Sequence, residues 1–549
     1  MHPTHQTQNT LLRGGTVWTG VPGEGVHEAV ALAGGYVVAL GSAAEAWAVD
    51  NDAQTIELAG GFVMPAFGEG HAHPVFGALE SDGPLIRELD TIEAIVAEVA
   101  RWAAANPTEP WVIGGSYDNS LAPDGLFDAR WLDEVVADRP VMLRARDYHT
   151  LWCNTLALEL AGITAETADP SLGEIPRRGD GSALGTLREW GAVDLMLAVA
   201  PKYPLARRVA ALGRATGFYA SRGFTWLQDA WVEADEVDVY LEAAAQGLLA
   251  TRCNLALRAD PQRWPEQLPE LIAARAKIRA LAHPLLTADT VKFFADGVIE
   301  SGTAALIEPY VGHSHDHGIS VWEPAALSAA VEAIDAAGFQ TFVHAIGDLA
   351  VRQALDAIEN AVAINGPRDR RPVLTHIQLI DPQDVPRFQA LGVIVNAQPL
   401  WAQLDDLMVV LTIPRLGDER AGRQYAFATL ADTGATLSFG SDWPCSSALP
   451  FEGILVGTTR QTTGLVPDGG WIPGERLDID AALSAYTAGV AVQAFADTTA
   501  LPWGTLAPGL SADLTWLDSD PRKLAGTPGL ATIGVRGTWL AGTRTFTAQ

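Results

Sequence analysis

Cysteine is almost absent: Cys153, Cys253 and Cys445 are the only three among 549 residues, and no two form a CxxC pair. A disulfide framework and a thiolate zinc site are therefore excluded. Lysine is nearly as scarce, with Lys202, Lys277, Lys292 and Lys523 making up the whole supply. Lys and Arg number 36 against 66 Asp and Glu, which leaves a formal charge of −30 and a pI near 4.6. A surface this acidic repels phosphate backbones and anionic lipid, so neither nucleic acid nor a membrane is an expected partner. No apolar run approaches the ~18 residues that a spanning helix requires. The opening MHPTHQTQNTLLRGG has neither a basic nor an apolar leader segment. A soluble, cytoplasmic protein is expected.

What is present is apolar. Hydrophobic residues make up 48% of the chain and the mean hydropathy is +0.11, which excludes a disordered polymer. The length exceeds one ordinary core and suits either several domains or one barrel carrying insertions. Residues 1–66 read as short strands broken by Gly-Gly and Gly-Ser turns, as in TLLRGGTVWTG and AVALAGGYVVALG. From Phe67 the pattern changes to apolar strand-like runs alternating with Ala-rich segments of helical period, such as QTFVHAIGD followed by AVRQALDAIENAVA. That alternation implies parallel strands with helical crossovers, and its extent suits a closed (β/α) barrel. Residues 501–549 return to β character. The predicted fold is α/β: a distorted (β/α)8 TIM barrel over 67–500 and a composite β-sandwich from 1–66 plus 501–549. An insertion at about 78–204 emerges after the first barrel strand.

Twelve histidines are informative by position. His2 and His5 lie near the start, and His27 and His283 have turn-like neighbours. His313, His315 and His317 form HSHDH in a polar loop, better suited to a solvated segment or lid than to a fixed metal site. His71 and His73 differ, because they end the apolar run GGFVMPAFGEG and a period of two sets both on one face. Two neutral imidazoles at a strand end make half of a divalent-metal site. Lys292 lies in TVKFFADG. Burial depresses an ammonium pKa, and a neutral amine that adds carbon dioxide becomes a carbamate able to bridge two ions. His344 in TFVHAIGD and His376 in VLTHIQLI end β-branched runs in consecutive units, where a barrel gathers its ligands. Asp442 in ATLSFGSDWP ends another, and an aspartate there either ligates and shuttles a proton or caps a turn. Each residue alone has a packing explanation. All of them together, in this order on successive strands, do not.

The order HxH, Lys, His, His, Asp resembles the amidohydrolase superfamily, and more narrowly its family 3 branch, which includes N-substituted formamide deformylases. PAFGEGHAHP, KFFADGVIESGTA, HAIGDLAV, THIQL and GSDWP resemble its ligand strands, and GTLAPGLSADLTWLDSDP its closing segment. Glu69 and Gly70 depart from the pattern ahead of the HxH. The resemblance implies two divalent cations, zinc first, with His71 and His73 on one and His344 and His376 on the other. It also implies a carboxylated Lys292 bridging them and Asp442 beside the reacting water, as ligand and proton carrier. GGSYDNS and DYHTLWCNTLAL resemble blocks of the family's insertion, which puts Tyr117, Asp118 and His149 at the substrate.

Seventeen tryptophans are a heavy aromatic supply, and Trp401 and Trp443 follow strand-like runs where a barrel builds its pocket. The expected activity is metal-dependent hydrolysis of a non-peptide C–N bond in a small, largely uncharged amide, most simply an N-substituted formamide. Weak activity on charged amino-acid derivatives is expected. The alternatives are a cyclic amide, urea or carbamate hydrolase, a deaminase, or a non-catalytic scaffold, which would be expected to have lost ligands. Homodimerisation is compatible with all of them.

Overall fold

The computed structural model describes residues 8–548, so His2 and His5 lie outside the described residues. Its centre is a sheet of eight parallel strands in sequence order: β1 (Phe67–Ala72), β2 (Phe224–Val232), β3 (Arg252–Arg258), β4 (Leu286–Phe294), β5 (Gln340–Ala345), β6 (Val373–His376), β7 (Ile394–Ala397) and β8 (Leu437–Phe439). Their residues are almost all buried, as a sheet covered on both faces demands. Crossover helices supply the outer layer. Helix Asp348–Asn365 buries Ala350, Val351, Ala354, Leu355, Ile358 and Ala361, a stripe of helical period, and ends at Gly366 with φ 75°.

The barrel closes between β8 and β1 through the segments that carry the histidine pair and Asp442. Asp442 N donates to His71 O (2.7 Å), and His73 N donates to Trp443 O (2.8 Å). The buried Glu69 carboxylate fastens the same seam, accepting from His71 N (3.2 Å), Ser441 N (2.7 Å) and Ser441 Oγ (2.8 Å). Burial raises its pKa to about 8. Gly70 is required by close approach, since a Cβ there would lie 2.4 Å from Asn396 Nδ2. The closure of the fold and the position of the site are thus one set of contacts.

The two chain ends share one sheet, in which Leu514–Leu517 runs antiparallel to Phe62–Pro65. The sheet curls until Val37 N donates to Leu510 O and Ala512 N to Gly35 O, enclosing Leu12, Val30, Leu32, Leu514 and Trp539. Alternate residues Leu11, Ala29 and Ala31 pack under helix Ser42–Asp50 instead.

Between β1 and β2 the chain builds a separate four-stranded sheet, ordered Thr186–Arg188, Thr150–Cys153, Val141–Ala145, Val112–Tyr117. One face closes over Val99, Val112, Phe127, Val141, Leu143 and Trp152. The other packs Met142, Leu151, Cys153, Leu187 and Trp190 toward Phe294 of β4. This unit forms the second wall of the site. No helix among the described residues is long and apolar enough to cross a membrane.

Candidate metal centre

His71, at the end of β1, and His73, one residue beyond it, converge with Asp442. Asp442 Oδ1 lies 3.5 Å from His71 Nε2 and 3.0 Å from His73 Nε2. Nitrogen and oxygen donors of these three residues lie within 4.8 Å of one another, close enough to share one cation. The rings of His71 and His376 are 4.9 Å apart and those of His376 and His344 are 4.6 Å apart, so four imidazoles form one continuous cluster.

Outer hydrogen bonds set which ring nitrogen is free. Thr375 Oγ1 donates to Asn396 Oδ1 (2.8 Å), so it accepts from His71 Nδ1 (2.7 Å) and leaves His71 Nε2 unprotonated. His376 Nδ1 donates to Gln398 Oε1 (2.8 Å), which again frees Nε2. His344 is reversed: Nε2 donates to Gly297 O (3.1 Å), so Nδ1 is the free atom. Such partners fix tautomer and ring orientation at metal sites. Burial holds His71 and His344 well below the ordinary histidine pKa and pushes His376 down to about 3, so all three are neutral at pH 7, as ligation requires.

Lys292, on β4 inside the barrel, is fully buried, and its Nζ has no hydrogen-bond partner. It sits 4.8 and 4.9 Å from the ring centroids of Phe294 and Phe342. Burial lowers its pKa to about 7, with Asp442 opposing. An orphaned buried amine among neutral imidazoles fits a group that gains a carboxylate and two cations. For Asp442, burial alone would raise the pKa, but its close approach to His73 (3.0 Å), with His376 and Lys292 adding, lowers it overall.

Two buried carboxylates stand behind this cluster. Asp296 accepts from the backbone N–H of Ala305, Ile346 and Gly347 and lies 3.4 Å from His344 Nε2. Glu189 accepts from His149 Nδ1 (2.8 Å) and from Thr303 Oγ1. Burial would lower the His149 pKa, but Glu189 more than compensates and raises it. Sequence reasoning missed Asp296, Glu189, Thr375 and Gln398. Only Asp296 carried a local signal, as an Asp-Gly just past the lysine strand.

The cluster floors a cavity of about 490 Å³. Phe76, Trp190, Trp231, Phe294 and Trp401 wall it, and Trp401 stacks on the His376 ring at 5.3 Å and 2°. His149 and Trp401 line this cavity. Tyr117, Asp118 and Trp443 do not line the cavity. Tyr117 is fully buried between Phe127 and Trp152, because alternation turns it into the insertion's own core. Asp118 caps a short turn at Ser120 N and pairs with Arg146 at 2.7 Å. Trp443 turns outward across the barrel seam to stack on Phe218 at 4.9 Å. His313 and His315 are exposed, and HSHDH does not reach the cavity.

A closed (β/α)8 barrel with imidazoles, a lysine and an aspartate gathered at its C-terminal rim is that of a metal-dependent hydrolase. The chain belongs to the amidohydrolase family, whose model matches residues 54–546. It is 29% identical to Protein LONG AFTER FAR-RED 3 of Arabidopsis thaliana, over 94% of this chain and 88% of that one. It is 26% identical to the N-substituted formamide deformylase of Arthrobacter pascens, over 90% of each. Its fold matches the crystal structure of an uncharacterized metal-dependent hydrolase from Pyrococcus furiosus with a TM-score of 0.71, at 25% identity, over 94% of this chain and 100% of that one.

Proposed function

We propose that this protein hydrolyses the C–N bond of a small non-peptide amide, most simply an N-substituted formamide bearing an aryl or alkyl group. The observation that carries it is the convergence of four imidazoles, Lys292 and Asp442 on the floor of one aromatic-walled cavity. The similarity to a formamide deformylase supports the substrate class. His71 and His73 would hold one zinc ion and His344 and His376 a second. Lys292, as the carbamate formed by adding carbon dioxide to its neutral amine with loss of one proton, would lie between them. Two such cations supply a polarised amide carbonyl and a water whose pKa falls from ~15.7 towards neutrality.

The chain's own groups do the rest. Asp442 is ionised beside His73, so it can take a proton from the attacking water and hand it to the amide nitrogen. That transfer is required, because an amide does not expel a free amide anion. Glu189 holds His149 by Nδ1 and leaves Nε2 toward the cavity, placed to bind the substrate carbonyl. Trp190, Trp231 and Phe294 offer an apolar surface to the N-substituent. The three cysteines are free and buried, which suits a reducing cytoplasm.

The test is hydrolysis of N-benzylformamide by the zinc-loaded protein. Benzylamine and formate should appear in equal amounts, and a chelator should stop the reaction. A zinc-loaded protein inert towards formamides, other amides, ureas and cyclic imides would overturn the proposal.

A further inference from the structure

Five arginines are buried among the described residues: Arg144, Arg188, Arg275, Arg370 and Arg460. Four are satisfied. Arg188 pairs with Glu174 and Arg370 with Asp335, while Arg275 and Arg460 donate to backbone carbonyls. Arg144 is only 8% exposed, yet among the described residues it makes no side-chain hydrogen bond and has no carboxylate oxygen within 4.0 Å. Its guanidinium carbon lies 4.6 Å from the Phe76 ring centroid, and the residue lines the same cavity as His71, His73, His344 and His376.

Strand alternation explains why it faces inward. Along Val141–Ala145, Val141, Leu143 and Ala145 enter the insertion's own core, whereas Met142 and Arg144 fall on the face that packs toward β4. A guanidinium held in so little solvent without a protein partner is costly, and Arg144 lines the cavity, where a ligand could supply one. Burial acts to lower its pKa, and Glu80 opposes this only from beyond ion-pair distance. Arg144 lines the same cavity of about 490 Å³ as His71, His73, Lys292 and Asp442, so one small molecule can meet both Arg144 and the reacting groups.

We propose that Arg144 receives a carboxylate of the substrate, so that the amide cleaved here carries one anionic group beside its apolar one. This rests on the cavity being the site of amide hydrolysis. A planar fork of donors matches a carboxylate. A dianionic phosphate would need more: Arg208 and Arg258, the other arginines lining the cavity, are already paired with Glu236 and Glu233. The aromatic walls would take the apolar substituent, and the proposed monoanion differs from the uncharged substrate that the tryptophans and the family resemblance suggested.

Two measurements on the zinc-loaded protein test this. In the first, kcat/KM is compared for N-formylphenylalanine and N-(2-phenylethyl)formamide, which differ by the carboxylate. The parent protein should prefer the acid by at least ~10-fold, chiefly through KM. The ratio should collapse to about 1 in Arg144→Met and be partly restored in Arg144→Lys. Reading a ratio cancels any loss common to both substrates. A preference for the neutral compound, or a ratio unchanged in Arg144→Met, overturns the proposal. In the second, calorimetric binding of 3-phenylpropanoate and 3-phenylpropanol is compared, which needs no turnover. Tighter binding of the acid, lost in Arg144→Met, supports the anion site even if no formamide is cleaved, and in that case amide hydrolysis alone falls. Acid binding retained in Arg144→Met places the carboxylate elsewhere and overturns the proposal, as does equal binding of acid and alcohol by the parent.

Discussion

At the barrel floor of the cavity, orienting polar side chains are themselves tied down. His71 bonds to Thr375, Thr375 to Asn396, and Ser438 and Asn396 both reach Gln493. On the facing wall, built by the segment between β1 and β2, Arg144 has no such partner and the surface is mostly aromatic. The floor is tied together by hydrogen bonds, while the wall offers apolar rings and an unpaired guanidinium. On the proposed function, the strands that close the barrel would carry the chemistry and selectivity would fall to the inserted sheet. Substitutions on the floor should therefore depress kcat, and substitutions on the wall should move KM.

The largest effects are expected for Lys292 and Asp442. Asp442→Asn should keep its metal and lose ~10³-fold or more in kcat, the range expected for a positioned proton carrier. Lys292→Ala should be inactive and should regain partial activity with short carboxylic acids that replace the carbamate. Normal turnover in either variant would remove that residue from the chemistry. Thr375→Val comes next. Without the acceptor for Nδ1, His71 loses its fixed tautomer, and zinc affinity or activity should fall ~10–100-fold. Competition with a chromogenic chelator measures the first, and steady-state kinetics the second.

Trp190→Ala addresses the wall. It removes a ring that contacts both Trp231 and His149, so KM for N-benzylformamide should rise ~10-fold with kcat changed much less. If kcat fell instead and KM held, the division between floor and wall would be wrong.

The candidate ligands were legible because their signal is local. A histidine or aspartate closing an apolar, strand-like run needs only the strand direction to place it at the rim, which gave His71, His73, His344, His376 and Asp442, while Lys292 stood out as one of only four lysines. The wall was not, because its faces are set by packing between distant segments. Tyr117 and Arg144 both lie in strands of the inserted sheet, and nothing in GGSYDNS or VMLRARD says that Tyr117 is buried in its core while Arg144 looks at the barrel. Trp190 and Trp231 were not singled out among the seventeen tryptophans. Trp443 misled for the opposite reason: it follows a strand end, but the seam with β1 turns it outward.

The smallest effect concerns the wall's stability alone. Burial would raise the Asp128 pKa, but hydrogen bonds from Arg178 and Arg130 hold it below its ordinary value of 3.8. Its contribution is therefore complete above that pH and is lost as pH falls below it, since the unfolded chain takes up the proton first. Asp128→Asn should cost about 2 kcal/mol near neutral pH and flatten the acid limb of the stability curve, read by thermal unfolding across pH. An unchanged acid limb would show that this carboxylate does not anchor the insertion.

Anomalous diffraction at the zinc edge from crystals of the active protein reports most directly on the floor of the cavity. Two peaks are expected, one against His71 and His73 and one against His344 and His376, with extra density on Lys292 Nζ reaching both. A fully active crystal with no peak among these residues, and a bare amine on Lys292, would contradict metal-dependent hydrolysis at this site.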